Sequence, residues 1–253
     1  MNSTPSLEDF KPIPIRRKEG GLGRIVFALR MVADLQFLTC TRFLEPHLKS
    51  VRGAVLDVGC GEMPFRDLLT TETRYTGLDV PQAGAFGMRR HPDILPFDGR
   101  RIPFPEDSFD CVLCTEVLEH AEDPSGLVEE MRRVLRPGGV LLATVPFSAR
   151  VHHAPHDYHR FTRFRLASLF AGFAGLEIRE RGDDITVIAN KLIVLCARLA
   201  KPSPLIALAW RLPVLAILMV LTAAALVVAH LSLAFGWGSR MDPLGYGILA
   251  RKG

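Results

Sequence analysis

With 253 residues, 48% of them hydrophobic and 23% charged, the chain can bury one sizeable core, and its composition excludes a disordered class. A formal net charge of +4 and a pI near 8.9, without a basic stripe interleaved with aromatics, are too mild to argue for a nucleic-acid partner. A basic membrane-facing edge stays open.

Residues 1–21 mix Pro, Gly and charge without periodicity, which predicts a loose tail ahead of one continuous unit from Leu22 to Gly253. Residues 22–50 carry apolar residues at three- and four-residue steps, so one or two amphipathic helices should cover the core. Arg24, Arg30 and Arg42 would also suit a membrane-facing helix, but ordinary packing is the preferred reading. From residue 51 to 184 strand and helix patterns alternate: "AVLDVG" a strand, "MPFRDLLTTE" a helix, "RYTGLD" a strand, and "DILPF" a short extended piece. There follow "FDCVLCTEV" as a strand, "PSGLVEEMRRVL" as a helix stopped by "PGG", "VLLATVP" as a strand, "RFRLASLFAGFAG" as a helix and "LEIRER" as a strand. Near-continuous apolar strands separated by helices predict a parallel sheet covered on both faces. A long apolar region occupies residues 185–240, and "YGILAR", within residues 244–252, reads as a closing strand.

The five cysteines, Cys40, Cys60, Cys111, Cys114 and Cys196, are an odd count in apolar segments without a recognisable signal peptide ahead of them, which suggests reduced, cytosolic thiols. Cys111 and Cys114 mimic a C-x-x-C pair, yet in a strand odd spacing sends them to opposite faces, so a zinc or redox role is disfavoured and no metal is expected.

The chemistry begins at "VLDVGCGEMPFRDLL", where an apolar strand breaks into Gly59-Cys60-Gly61. Glycines between a strand and a helix let backbone N–H groups approach a nucleotide. Asp79 ends the next strand about twenty residues on, where a carboxylate can accept both hydroxyls of a ribose. A dinucleotide would want a third glycine where this chain has Glu62, Met63 and Pro64, and a pyrophosphate would meet Glu62 badly. A sulfonium cofactor without phosphate fits better, and a nicotinamide oxidoreductase is disfavoured.

Four motifs, "VLDVGCG", "YTGLDV", "IPFPEDSFDCVLCTEVLEHAEDP" and "RVLRPGGVLLATVPF", together resemble, in order and spacing, the class I S-adenosylmethionine-dependent methyltransferases, specifically the type 11 methyltransferase domain. The resemblance spans residues 51–176. It implies an α/β fold: a Rossmann-like, seven-stranded, mostly parallel sheet with helices on both faces and its last strand antiparallel, here with an apolar helical insert before that strand. It also implies S-adenosylmethionine as cofactor, with Asp57, Gly59, Cys60 and Gly61 around its methionine part, Asp79 (followed by Val80) on the ribose, Asp98 near the adenine, and Thr115 and Glu116 beneath the sulfonium. Glu62 and Met63 depart from the family pattern and put the helix that should follow the cradle in doubt.

Some members share a His, Asp-Tyr, Arg, Thr run, here "HHAPHDYHRFT", with His152 where an acidic residue is commoner. It follows the fifth strand, at the edge of the sheet where ligands bind. His153 is the first candidate for a base that deprotonates the acceptor, with His156 and His120 behind it, and Asp157 and Tyr158 as orienting or acceptor-binding groups. The structural alternative is equally open: Asp157 as a helix cap or partner of Arg160, Tyr158 as packing, His120 closing a turn, Glu119 solvated.

The run over residues 212–235 holds no formally charged side chain and as a helix would extend roughly 36 Å at 1.5 Å per residue, enough to cross a bilayer. Trp210 and Arg211 before it, and Trp237 and Arg240 after it, are placed as interfacial anchors would be. A single crossing would put "YGILAR" on the wrong side of the membrane. The open readings are a membrane-embedded hairpin, which is preferred, two crossings, or burial in a homodimer. The functional expectation is methyl transfer to a small, glycan-related or lipid-linked acceptor at the cytoplasmic membrane surface, with residues 205–237 as the membrane contact. The rival expectation is a catalytically silent cofactor-binding partner protein.

Overall fold

The computed structural model describes residues 14–15, 20–89, 91–201 and 205–253. The tail expected over residues 1–21 therefore lies almost wholly outside the described residues. Seven strands, β1 (Gly53–Val58), β2 (Thr73–Asp79), β3 (Ile94–Pro96), β4 (Phe109–Thr115), β5 (Leu135–Pro146), β6 (Gly175–Arg181) and β7 (Gly245–Arg251), form one sheet in the order β3-β2-β1-β4-β5-β7-β6. All neighbours are parallel except β7, which runs antiparallel to both β5 and β6. The Rossmann-like fold and the place of "YGILAR" are as expected.

Among the described residues there are six α-helices, α1 (Gly21–Ala33), α2 (Leu35–Leu48), α3 (Pro124–Val134), α4 (Arg163–Leu169), α5 (Asp184–Leu199) and α6 (Leu205–Phe235), of which α2, α3 and α4 pack on the sheet. Alternate residues of the central strands supply two cores. Leu56, Val58, Val112 and Cys114 face Leu127, Met131 and Phe170, whereas Val55, Cys111 and Leu113 face Phe37, Leu44 and Leu48 of α2. Cys111 and Cys114 thus sit on opposite faces, and all five cysteines are free thiols.

Three local expectations need correction. The helix read over residues 63–72 is only a single 3-10 turn, Arg66–Leu68. Met63 takes a left-handed φ of 53° and Phe65 is buried against Phe37, so the few residues before β2 are drawn to the core instead of completing helical turns. The glycines of "PGG" fall inside β5, which begins at Leu135. α4 stops at Leu169, because Phe170 and Phe173 turn back into the core. Packing of the N-terminal helices is also split. α2 is half core, but α1 leaves Ile25, Val26, Leu29 and Val32 exposed.

The insert is a helical hairpin. Both its ends leave the sheet at one point, since Arg181 at the end of β6 pairs with Gly245 at the start of β7. At its base Asp183 caps α5 through a capping box with Thr186 and accepts from Ser232 Oγ, and His230 Nε2 donates to the Val32 carbonyl at 2.9 Å. Leu35, Leu38, Val187, Ala189, Ala229 and Leu244 fill this junction. Farther out, Cys196 Sγ lies 3.3 Å from Thr222 Oγ1, so α5 runs along α6. Among the described residues one helical stretch, Leu208–Phe235, is long and apolar enough to cross a membrane, and only 11% of its most apolar window is buried.

Candidate active site

A cavity of about 500 Å³ opens at the carboxyl ends of β1, β2 and β4, within the range of small-molecule sites. Its cradle is the turn after β1. Gly59 and Gly61 have φ of 71° and 52°, and a Cβ on Gly59 would come within 2.4 Å of Val117 Cγ2, so only glycine fits there. Gly59 and Cys60 both donate their N–H to the Leu78 carbonyl, at 2.8 and 3.0 Å, which locks the turn onto β2.

Asp79 faces the cradle from β2. Its Oδ2 accepts from Gly61 N–H at 2.9 Å and its Oδ1 from Val80 N–H at 2.7 Å. Burial raises its carboxyl pKa, and the hydrogen bonds from Val80 and Gly61 pull against that rise. Val80 and Asp98 border the same cavity. Asp98 Oδ1 accepts the N–H groups of Arg101 and Arg100, which hold its carboxyl below the usual range.

Glu116 lies across the cavity, with a φ of 54° at the end of β4. Its Oε1 accepts from Arg181 Nη2 at 2.7 Å. Arg181, 2% exposed, also donates to the carbonyls of Val145, Tyr246 and Gln36, so one guanidinium joins α2, β5 and β7 to the cavity wall. Burial raises the Glu116 carboxyl, and the Arg181 charge opposes it. Sequence reasoning missed Arg181. Its signal was a charged residue at the carboxyl end of a strand, beside the site.

Three predicted cofactor residues, Asp57, Cys60 and Thr115, do not line the cavity. Asp57 is 1% exposed and accepts the Tyr75 hydroxyl at 2.6 Å through Oδ2, while Oδ1 is buried without a hydrogen bond. Cys60 is buried against Gly77, and burial pushes its thiol far up. Thr115 is half-buried and does not line the cavity.

Burial also pushes the Asp57 carboxyl up to about 7, against the Tyr75 hydrogen bond. A carboxyl raised in the folded state binds its proton more tightly there than in the unfolded chain. Its contribution to stability is therefore complete below about pH 4, the unfolded carboxylate pKa, and is lost as pH rises through about 7. Asp57→Asn should remove that loss. In thermal melts without cofactor, the variant is expected to gain on the wild type between pH 5 and pH 8; an unchanged difference would contradict the buried carboxyl.

The opposite wall is the "HHAPHDYHRFT" loop. Tyr158 and His159 donate their N–H groups to the Glu119 carbonyl at 2.9 and 3.2 Å, which docks the loop on the turn after β4. His120, His153, His156 and Tyr158 border the cavity, and His156 Nδ1 is 3.0 Å from the Tyr158 hydroxyl. His153 holds a φ of 56°. Burial, with His120 and His152 adding, lowers its imidazole to about 4, so the ring is neutral at pH 7. Asp157 is not on the cavity. It takes a bidentate bond from Arg160 at 2.6 and 2.7 Å and accepts His152 N–H at 3.0 Å. Burial raises the Asp157 carboxyl, but these bonds outweigh it and leave it below the ordinary range. The structural alternative for Asp157, a partner for Arg160, is what the geometry shows. Glu119, expected to be solvated, is fully buried, because the docked loop closes over it.

Residues 56–143 match the family described as a methyltransferase domain. A probable S-adenosylmethionine-dependent methyltransferase of Mycolicibacterium smegmatis is 41% identical over 96 residues, 36% of this chain and 37% of that protein. A ubiquinone biosynthesis O-methyltransferase of Pseudomonas paraeruginosa is 27% identical over 151 residues, 50% of this chain and 65% of that protein. This chain therefore spans less than two thirds of the length of either relative. In fold it is similar to a crystal structure from Thermotoga maritima, an S-adenosylmethionine-dependent methyltransferase and possible histamine N-methyltransferase. The TM-score is 0.52 at 14% identity, covering 91% of this chain and 96% of that one.

Over residues 56–143 the chain carries a methyltransferase domain of the class I S-adenosylmethionine-dependent kind. Within that class its core is a type 11 methyltransferase domain. The cofactor of that domain is S-adenosylmethionine, and the residues present fit it. The two left-handed glycines leave a cradle that side chains would fill, Asp79 offers a carboxylate at its rim, and no helix N-terminus stands there to favour a phosphate. Glu62, suspected of repelling phosphate, accepts Arg89 N–H at 2.6 Å.

Proposed function

We propose that the chain transfers a methyl group from S-adenosylmethionine to an oxygen-bearing, small or lipid-linked acceptor at a membrane surface. The observation that carries this reading is the single cavity that joins the cofactor cradle of Gly59, Gly61 and Asp79 to the wall of His120, His153 and Tyr158. Bound in the cradle, the cofactor supplies an already activated methyl group. The chain's own task is then to hold the acceptor in line and take up its proton. His153 presents its imidazole at the wall where the acceptor would sit, and Tyr158 and His156 offer it polar contacts. The name of the Pseudomonas relative places an O-methyltransferase in ubiquinone biosynthesis, which supports an oxygen acceptor.

The membrane part rests on the hairpin. Trp210, Leu212, Ile217, Val220 and Phe235 of α6 are exposed, as are Ile25, Val26 and Leu29 of α1, and α1 and α6 are tied together at Val32 and His230. An apolar face of this extent exceeds what a soluble monomer leaves in water. Because both hairpin ends join the sheet at Arg181 and Gly245, the insert can enter a bilayer and return to the same side, and β7 keeps its place.

The test is incubation with methyl-labelled S-adenosylmethionine and membrane extract, followed by identification of the labelled product. Label is expected in a lipid-phase hydroxyl compound, and His153→Ala should lose turnover while keeping cofactor binding. Cofactor binding without any labelled product would leave the silent binding module. In cell fractionation, the protein is expected to stay with the membrane pellet through a high-salt wash. Complete release by salt would contradict the embedded hairpin.

A further inference from the structure

Beside the cavity three potential ligand atoms converge, of which the methyl-transfer reading uses only His120, as part of the cavity wall. The Glu119 carboxylate is 0% exposed, and neither of its oxygens has a hydrogen-bond partner. Its Oε1 lies 3.7 Å from His120 Nε2 and 3.7 Å from His152 Nε2, and the three ligand atoms all fall within 4.8 Å of one another.

The far side of each ring fixes what faces the centre. His120 Nδ1 is 2.6 Å from the His156 carbonyl, and His152 Nδ1 is 3.2 Å from the Arg150 carbonyl and 3.3 Å from Asp157 Oδ2. Carbonyl and carboxylate oxygens only accept, so each Nδ1 must carry the hydrogen, and a neutral ring then turns the lone pair of Nε2 inward. With both rings neutral, two imidazole lone pairs and a buried carboxylate point at one another with no hydrogen between them. Such an arrangement is costly unless a cation fills it. Imidazole rings fixed by carbonyl acceptors on their outer nitrogen are also the usual support of metal-binding histidines.

We propose that Glu119, His120 and His152 bind a divalent first-row transition metal of the zinc type. Two imidazoles and one carboxylate are a donor set that zinc takes, leaving an open position, and ligand atoms around a tetrahedral zinc stand roughly 3.4 Å apart, so a small contraction closes the site. His120 also borders the cavity, which puts the open position next to the acceptor side of the site. There the metal would bind an acceptor oxygen directly and lower its proton affinity, which narrows the substrate class to hydroxyl compounds. This use of the metal rests on the methyltransferase reading; the binding itself does not. The site was not legible in the sequence, because His152 stands about thirty residues from the Glu119-His120 pair and only loop docking unites them.

The test uses untagged full-length protein, stripped with a chelator and titrated with Zn²⁺ in competition with a chromophoric chelator, and with Co²⁺ followed by its visible absorption. One equivalent per chain is expected. Glu119→Gln and His152→Ala should each bind at least about a hundredfold more weakly, since removing a direct ligand exceeds the 10–100-fold cost of losing an outer support. His47→Ala, outside the cluster, should bind as the wild type does. Failure of the wild type to take up one equivalent would leave a proton-bridged His–Glu pair and overturn the proposal, whether or not the variants fold. Binding within about threefold of wild type in both variants would overturn it equally. Adenosylhomocysteine binding, measured on the same samples, separates the two claims: its loss with metal uptake intact counts against the methyltransferase reading, and the reverse against the metal site alone.

Discussion

Asp79→Ala is expected to weaken adenosylhomocysteine binding by at least about a hundredfold, roughly 2.7 kcal/mol, while the chain stays folded. The side chain does two jobs. Its oxygens hold Gly61 N–H and Val80 N–H, which fixes the cradle, and in the proposed reading the same carboxylate also accepts the ribose hydroxyls. Alanine removes the ribose acceptor and releases the turn together. Gly61 and Val80 are only half-buried at the cavity rim, so water can replace the lost acceptor and the cost falls on binding more than on stability. Calorimetric titration with a circular dichroism check reads the result directly. Affinity within about threefold of wild type would contradict the placement of the cofactor.

Arg181→Met is expected to be the most destabilising single change at the site. It leaves Glu116 without its cation and strips the donor from the carbonyls of Val145, Tyr246 and Gln36. Arg181 is buried while Glu116 keeps 31% of its side chain open to the cavity, so the loss falls at the lower end of the roughly 3–5 kcal/mol for breaking a buried pair and lowers the melting temperature of a domain of this size by about 10 °C. Lysine should rescue little, because an ammonium cannot reproduce the fork that reaches three elements. A Glu116→Gln, Arg181→Met double variant should lose less than the two single changes added together, since no unpaired charge remains. Additive losses would show that the pair does not act as a unit.

The sheet was legible in the sequence because its strands are buried on both faces. "AVLDVG" and "FDCVLC" are nearly unbroken apolar runs, and only a doubly covered parallel sheet needs them. The ends of the strands were legible for another reason: Gly59 and Gly61 meet a left-handed turn that local backbone geometry demands, and Asp79 accepts the N–H groups of that turn and of Val80. Residues 63–72 misled because a helical apolar spacing there is served instead by one buried ring, Phe65. Asp57, read from the motif as a residue around the methionine part of the cofactor, is buried beneath the cavity and does not line it, a distinction of depth that spacing does not carry. Glu119 and Arg181 were invisible because their surroundings come from long-range docking: the loop over residues 150–162 closes one, and β7 with α2 closes the other. The hairpin was half visible. Its apolarity is in the sequence, but only the pairing of Arg181 with Gly245 shows that both ends return to one point.

The central claim is that the Gly59-Gly61-Asp79 cradle holds S-adenosylmethionine and not a phosphate-bearing nucleotide. Titration calorimetry of the wild-type chain with adenosylhomocysteine and, separately, with NAD tests it most directly. Saturable binding of one adenosylhomocysteine per chain and no heat with NAD is the predicted result; binding of NAD, or no binding of adenosylhomocysteine, would contradict it.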